Sequence, residues 1–508
     1  MHDCPADSRH LRPIPPGATR DYFRLQTRRQ FFGRLSTGLG GAALSALAGP
    51  SLLGAFTQAR AAGVVPAGME RLAQHAPKAK RAIYLYMGGA PSQIDTFDYK
   101  PALAGQYDKD MPASVLGRGQ LNASNIRQAR LPIVPSTYSF KQYGQSGAWV
   151  SELLPWTAKL VDEIAIVKSL HTDVLNHDAA VTYMLTGNAV AGKASIGAWV
   201  SYGLGSLSHN LPTFVVLVSK LAVANGDGAQ AVFPRFWGNG FLPAANAGVQ
   251  LRSEGDPVLY LRDPKGLSRA ARRDMLDGVR DLNAAAFDEV GDPEIHARIQ
   301  EFEMAFQMQA TVPELTDLSA EPAETFELYG AEARTPGTFA NHCLLARRMA
   351  ERGVRFTQIF NRGWDSHRSL PKNFPVLCRD IDRPCHALVT DLKRRGMLDD
   401  TLVVWGGEFG RTVYCEGVLK PDDFGRDHHG KCFTMWLAGG GIKPGIVHGE
   451  TDDFSFNVVR DPVHVRDLNA TILHQLGLDH NRLTYRFEGL DQKLTGTVPA
   501  RVVEELLI

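Results

Sequence analysis

Cysteine is scarce in this chain, with six among 508 residues. One lies near the N-terminus. The other five, Cys343, Cys378, Cys385, Cys415 and Cys432, are odd in number, so at least one has no disulfide partner. None has zinc-finger spacing, and Cys378 and Cys385 stand two helical turns apart, too far for a bridge within one helix. They read as small buried apolar residues. An excess of one charge is also missing: the formal net charge is +1 and no basic patch stands out, which argues against a nucleic-acid partner. Beyond the first 61 residues no apolar run is long enough to span a bilayer. No internal repeat is visible.

What is present suits one large or two medium globular domains with a full-sized core, since 44% of the residues are hydrophobic and 9% aromatic. Thr27-Arg28-Arg29-Gln30-Phe31-Phe32 is a twin-arginine pattern, followed by an uncharged Gly/Ala-rich stretch from Leu35 to Gln58 and a small-x-small site at Ala59-Arg60-Ala61. Residues 1–61 therefore read as an export signal. Removing them leaves 47 basic and 51 acidic side chains, a net of −4. The twin-arginine translocase carries folded proteins, often with a cofactor inside, so a periplasmic or extracellular protein loaded with metal before export is expected.

Short apolar runs at Ala82–Met87, Ile164–Val167, Thr213–Val218, Phe356–Phe360, Thr401–Trp405 and Phe433–Ala438 read as strands covered on both faces. Helical periodicity separates several of them: Leu267–Val290, Pro293–Ala310 with Asp292 as N-cap, Phe339–Gly353 and Phe374–Gly396. The alternation predicts an α/β fold, a doubly wound and mainly parallel sheet flanked by helices. Residues 62–80 read as a linker, 81–495 as the α/β domain and 496–508 as a C-terminal tail. The stretch at about 263–335 reads as a helical insertion, a possible cap over the site.

The strands end in polar clusters, where open α/β sheets bind ligands. Asp365 and His367 lie two apart on an extended segment and point to one side, so one metal could take both. A hard oxygen with a neutral nitrogen suits zinc, manganese or iron. Glu408 follows Thr401–Trp405 in a glycine-rich turn, with Arg411 close enough to fork onto an anionic oxyacid. In Asp427-His428-His429-Gly430 adjacent side chains diverge, so one of His428 and His429 faces the metal. Asn176-His177-Asp178 opens a helix whose N-terminus attracts anions; Asn176 or Asp178 could equally cap it. Asp95, in the loop after the first strand, could reach a metal, and Lys431 could stabilise charge on a substrate. His448, His464 and His474 read as structural.

The order of these segments resembles the sulfatases. Gly396-Met397-Leu398-Asp399-Asp400-Thr401-Leu402-Val403-Val404-Trp405-Gly406-Gly407-Glu408 resembles their helix–strand unit ending in Ser-Asp-His-Gly, where Asp and His bind metal. Met184-Leu185-Thr186-Gly187 resembles the end of their nucleophile helix, and Asp467-Leu468-Asn469-Ala470-Thr471-Ile472-Leu473 with Gly477 their C-terminal motif. More closely, GGAPSQIDTFDYKP (88–101), NHD (176–178), GWDSH (363–367), GGEFGRT (406–412) and DHHG (427–430) are similar to the domain of unknown function 1501 family of the alkaline phosphatase and sulfatase superfamily. Set against that pattern, the nucleophile position falls on His177, the first strand ends in Met87-Gly88-Gly89 without its metal-binding Asp, and the Asp-His pair becomes Glu408-Phe409. The resemblance implies a single divalent metal (zinc, manganese or iron) held by Asp365, His367, Glu408 and one of His428 or His429. It implies an exported metal-dependent hydrolase of phosphate or sulfate esters. Its substrate would be a small anionic ester or a sulfated or phosphorylated glycan, with His177 as nucleophile, base or ligand. The competing expectation is a non-catalytic exported binding or assembly protein on a decayed sulfatase-like fold.

Overall fold

The structure, a computed structural model, describes residues 73–117, 128–223, 228–253, 266–291, 293–420 and 422–508. The expected export signal, most of the 62–80 linker and the Asp292 cap lie outside the described residues. Among those described, no helix is long and apolar enough to cross a membrane.

Apolar runs that carry β-branched and aromatic residues and are buried on both faces build the centre of one nine-stranded sheet. From one edge its strands are Ile446–His448, Ile164–His171, Phe433–Ala438, Thr401–Gly406, Arg81–Gly88, Phe356–Arg362, Phe214–Val218 and Val249–Leu251, with Val463–His464 also pairing Ile164–His171. Alternate residues feed two cores. Ile83, Leu85 and Met87 pack with helices Phe339–Glu351 and Leu370–Arg394, whereas Tyr84 and Tyr86 pack with helices His177–Thr186, Ile196–Leu204 and Val465–Gln475. The mainly parallel, two-faced sheet expected from the sequence is the one observed.

Among these strands Phe433–Ala438 alone runs antiparallel to its neighbours. The consequence is functional. Residues that precede this strand arrive at the same edge as residues that follow the parallel ones. Asp427–Gly430 thus meets the loops after Arg81–Gly88, Ile164–His171, Phe356–Arg362 and Thr401–Gly406.

Three parts of the expected organisation are redrawn. Residues 74–79 are not a loose linker, because the backbone N–H groups of Gln74, His75, Lys78 and Ala79 donate to the carbonyls of Gly477 and Gln475. The tail is docked too, with Val503 and Leu506 buried and Ile508 N bonded to Gly441 O. The insertion forms helices Arg269–Val290, Pro293–Thr316 and Ala323–Tyr329, and its contacts fix it to the helical layer. Arg348 Nε donates to Leu315 O at 2.9 Å, and Glu321 accepts from both Arg347 and Arg348. Those contacts do not join it to the polar edge of the sheet.

One buried histidine of this layer sets an expected pH dependence. His342 lies between Ser219 Oγ and Ser253 Oγ, each 2.9 Å from a ring nitrogen. Burial, with Lys220 nearby, lowers its pKa to about 3. The folded state therefore keeps it neutral while the unfolded chain protonates it near its ordinary value of about 6.5. Its contribution is complete above that pH and is lost as pH falls toward 3. Urea unfolding from pH 7 to 4 should show stability falling by up to about 1.4 kcal/mol per pH unit from this group, and His342→Asn should flatten that slope.

Candidate metal centre

Local chemistry positions each side chain. Asn176 caps the helix His177–Thr186, its Oδ1 accepting from Asp178 N at 3.1 Å, and this fixes His177 at the first helical position. Gly89, at φ +109, lets its turn lie against the Asp365 loop, since a Cβ there would fall 2.5 Å from Asp365 N. Gly425 does the same for the two-stranded ribbon Gly410–Cys415 and Arg426–His429: a Cβ would meet the His367 carbonyl carbon at 1.9 Å.

Asp365 Oδ1 is the meeting point. His367 Nε2 lies 2.8 Å from it, His177 Nε2 2.9 Å, His428 Nε2 3.4 Å and Arg411 Nη2 2.6 Å. One ligand atom from each of His177, Asp365, His367 and His428 falls within 4.8 Å of all the others. The distal ring nitrogens are held from behind: His177 Nδ1 by Glu408 Oε1 at 2.6 Å, His428 Nδ1 by Leu175 O at 2.7 Å, and His367 Nδ1 by Glu416. A carbonyl only accepts, so His428 carries its proton on Nδ1, and carboxylates favour the same tautomer in the other two rings. That arrangement turns the Nε2 lone pairs toward Asp365, as in metal centres whose histidines donate to outer carboxylates.

Without a cation a ring needs a proton on Nε2 to face the carboxylate oxygen, and a metal would take that proton's place. His177 Nε2 is buried and near Asp365 yet without hydrogen-bond geometry to any partner among the described residues, as an atom waiting for a ligand would be. The electrostatics of the metal-free site show protons held where a metal would displace them. Burial opposes the charge on Asp365, but His177, His367, His428 and Arg411 hold its carboxyl far below the usual range. Burial pulls His367 down, yet Asp365 and Glu416 raise it to about 9. For His177, Asp365 and Glu408 likewise outweigh burial and raise the pKa, whereas burial and the Arg411 charge keep His428 lowered. Three imidazole nitrogens and one carboxylate oxygen make a donor set suited to zinc, manganese or iron.

Of the residues singled out from sequence, His177, Asp365, His367 and His428 converge. Glu408 stands one bond further out, fixed by His177, by Gly89 N at 2.9 Å and by the Tyr86 hydroxyl at 3.2 Å. His429 turns away, its Nε2 bonded to Phe456 O at 2.7 Å. Asp95 is no ligand here, because Arg426 grips it with bonds of 2.8 and 3.2 Å. Arg411 is not free to fork onto a substrate: it donates to the carbonyls of Gly89, Ala90 and Arg426 as well as to Asp365. Asn176 serves as cap, Asp178 pairs with Arg235, and Lys431 lies over the Phe456 ring with Leu116 O as acceptor. Glu416, Gln230 and the Leu175 carbonyl were not anticipated; Gln230 Nε2 donates to Asp365 Oδ2 at 2.6 Å. Glu416 follows a short apolar run and precedes Gly417, a signal akin to the strand end and glycine-rich turn that marked Glu408. Glu408→Gln should weaken metal binding about 10- to 100-fold, measured by competition with a chelator, because a neutral amide oxygen holds the His177 Nδ1 proton less strongly than a carboxylate and leaves Nε2 less basic.

No curated protein matches the chain. It is similar in structure to a protein in the alkaline phosphatase superfamily from Vibrio parahaemolyticus, with a TM-score of 0.34 and 11% identity over 86% of this chain and 73% of that one. It is also similar to the lipoteichoic acid synthase LtaP from Listeria monocytogenes, with a TM-score of 0.32 and 10% identity over 84% and 76% of the two chains. For the PsFucS1 sulfatase from Pseudoalteromonas sp. the TM-score is 0.32, at 12% identity over 82% and 72%. Likeness this remote carries no argument about chemistry. The family model is decisive where these are not: matching residues 79–507, it shows that the chain belongs to the family described as protein of unknown function (DUF1501).

Proposed function

We propose that this protein is an exported metal-dependent hydrolase of phosphate or sulfate esters. The observation that supports it is the convergence of His177, Asp365, His367 and His428 on one point at the carboxyl edge of the sheet. Bound there, a zinc, manganese or iron ion would supply Lewis-acid polarisation of an ester oxygen. The protein's own part is positional. Glu408, Glu416 and the Leu175 carbonyl hold the Nδ1 protons, while Arg411 and Gln230 hold the Asp365 carboxylate. With Nδ1 held by Glu408 and Nε2 turned toward Asp365 at the metal point, His177 reads as a ligand, and water as the attacking group. The twin-arginine motif supports placing the reaction outside the cytoplasm, on an anionic ester or a sulfated or phosphorylated glycan.

The test is turnover of an aryl phosphate and an aryl sulfate by chelator-stripped protein reloaded with zinc, manganese or iron. Turnover should return with metal and vanish in His177→Ala, while the melting temperature of the metal-free protein stays nearly constant. Stoichiometric metal with no turnover on either ester would favour the binding-protein reading instead.

A further inference from the structure

With Arg411 committed to carbonyls and Asp365, the centre as described has no cation left for a substrate oxyanion. A candidate lies on the strand that leads into Asp365. Arg362 is the last residue of the strand Phe356–Arg362, three positions before Asp365, and its register partner is Gly88. Strand alternation puts it on the face of Phe360, which packs with Tyr86 and the helix His177–Thr186. On that face the Tyr86 hydroxyl reaches Glu408, which holds His177. Gly88 contributes no side chain beside Arg362: a Cβ there would come within 4.0 Å of Arg362 Cγ.

The guanidinium is half-buried and unmatched. Among the described residues no hydrogen bond or ion pair engages it, and its Nε is buried without a partner. Other buried arginines are treated differently: Arg347 has Glu321, Arg411 has Asp365 and Arg426 has Asp95. Burial lowers the Arg362 pKa, and no carboxylate among the described residues offsets it. A desolvated cation without a counter-charge is costly to keep, and such groups cluster where a ligand supplies the missing charge. On its own strand and the neighbouring Arg81–Gly88, the Gln358 amide and the Tyr84 hydroxyl on this face also have atoms without partners among the described residues, but both are neutral.

We propose that Arg362 receives the tetrahedral oxyanion of the substrate, its planar fork taking two non-bridging oxygens of a phosphate or sulfate group. The assignment rests on the ester-hydrolase reading and adds the group that would recognise the anion. It also explains how the site can favour charged esters over neutral ones although Arg411 is occupied.

The experiment is calorimetric titration of metal-loaded protein with inorganic phosphate and, separately, inorganic sulfate. Arg362→Met and Arg362→Lys are compared with the unsubstituted protein, and metal content and melting temperature are measured alongside. Arg362→Met should weaken the preferred anion about 10- to 100-fold with metal content unchanged, and Arg362→Lys should fall between. Equal affinity in all three proteins, no binding of either anion, or metal loss in both variants would overturn the proposal. Should Arg362→Met fail to fold, the Lys variant decides. Hydrolysis would fail separately: no ester turned over, while anion binding still depended on Arg362.

Discussion

Replacing Asp365 by alanine is expected to release the metal and weaken the fold together. Its Oδ1 is the only carboxylate oxygen in the four-residue ligand group, and three imidazoles face it. Losing it removes an inner ligand, so affinity should drop by more than the roughly 100-fold upper figure for outer partners. The second effect comes from Arg411, fully buried and hydrogen-bonded to the same carboxylate. Breaking a buried pair costs about 3–5 kcal/mol when the surviving charge has no relief. Arg411 keeps three carbonyl acceptors, so the low end of that range is expected. Chemical unfolding of the metal-free variant separates this from the loss of metal. Asp365→Asn, which retains an oxygen near Arg411, should lose metal with a smaller stability cost.

The second large effect concerns Asp95, read from sequence as a possible ligand. Both it and Arg426 are completely buried, and Arg426 Nη1 also donates to the carbonyls of Val134, Thr412 and Val413 at 3.0 to 3.1 Å. This pair ties the loop after the first strand to the ribbon that carries His428. Asp95→Ala should cost about 3 kcal/mol in urea unfolding, the low end of the range for a broken buried pair, because the guanidinium left inside loses its counter-charge but keeps three carbonyl acceptors. Metal content of the folded fraction should not change. Loss of metal with stability intact would restore Asp95 to the centre. A paired Asp95→Leu and Arg426→Met change should be far milder than either alone, since neither charge is then left behind.

The sheet was legible because its central strands are continuous apolar runs, the form that burial on both faces demands; Phe433–Ala438 matches to the residue. Edge strands were missed: Val249–Leu251 and Ile446–His448 are short and only half covered. The ribbon Gly410–Cys415 with Arg426–His429 was missed for the opposite reason. It is wholly buried yet rich in polar residues, because Asp95, Asp365 and backbone carbonyls satisfy them from elsewhere in the chain. That ribbon also decides between the two histidines. His428 stands opposite Arg411 and His429 opposite Gly410, so the rings fall on opposite faces. Long-range register made that choice, which no local pattern could show. Arg411 misled for a related reason: its sequence neighbours suggested a free fork, whereas its acceptors come from three distant segments.

The most direct test is elemental analysis of the purified mature protein beside His428→Ala and His429→Ala. About one zinc, manganese or iron per chain is expected, lost in His428→Ala and kept in His429→Ala, whose ring bonds Phe456 O. Metal-free protein after reloading, or equal loss in both variants, would contradict a centre built on His177, Asp365, His367 and His428.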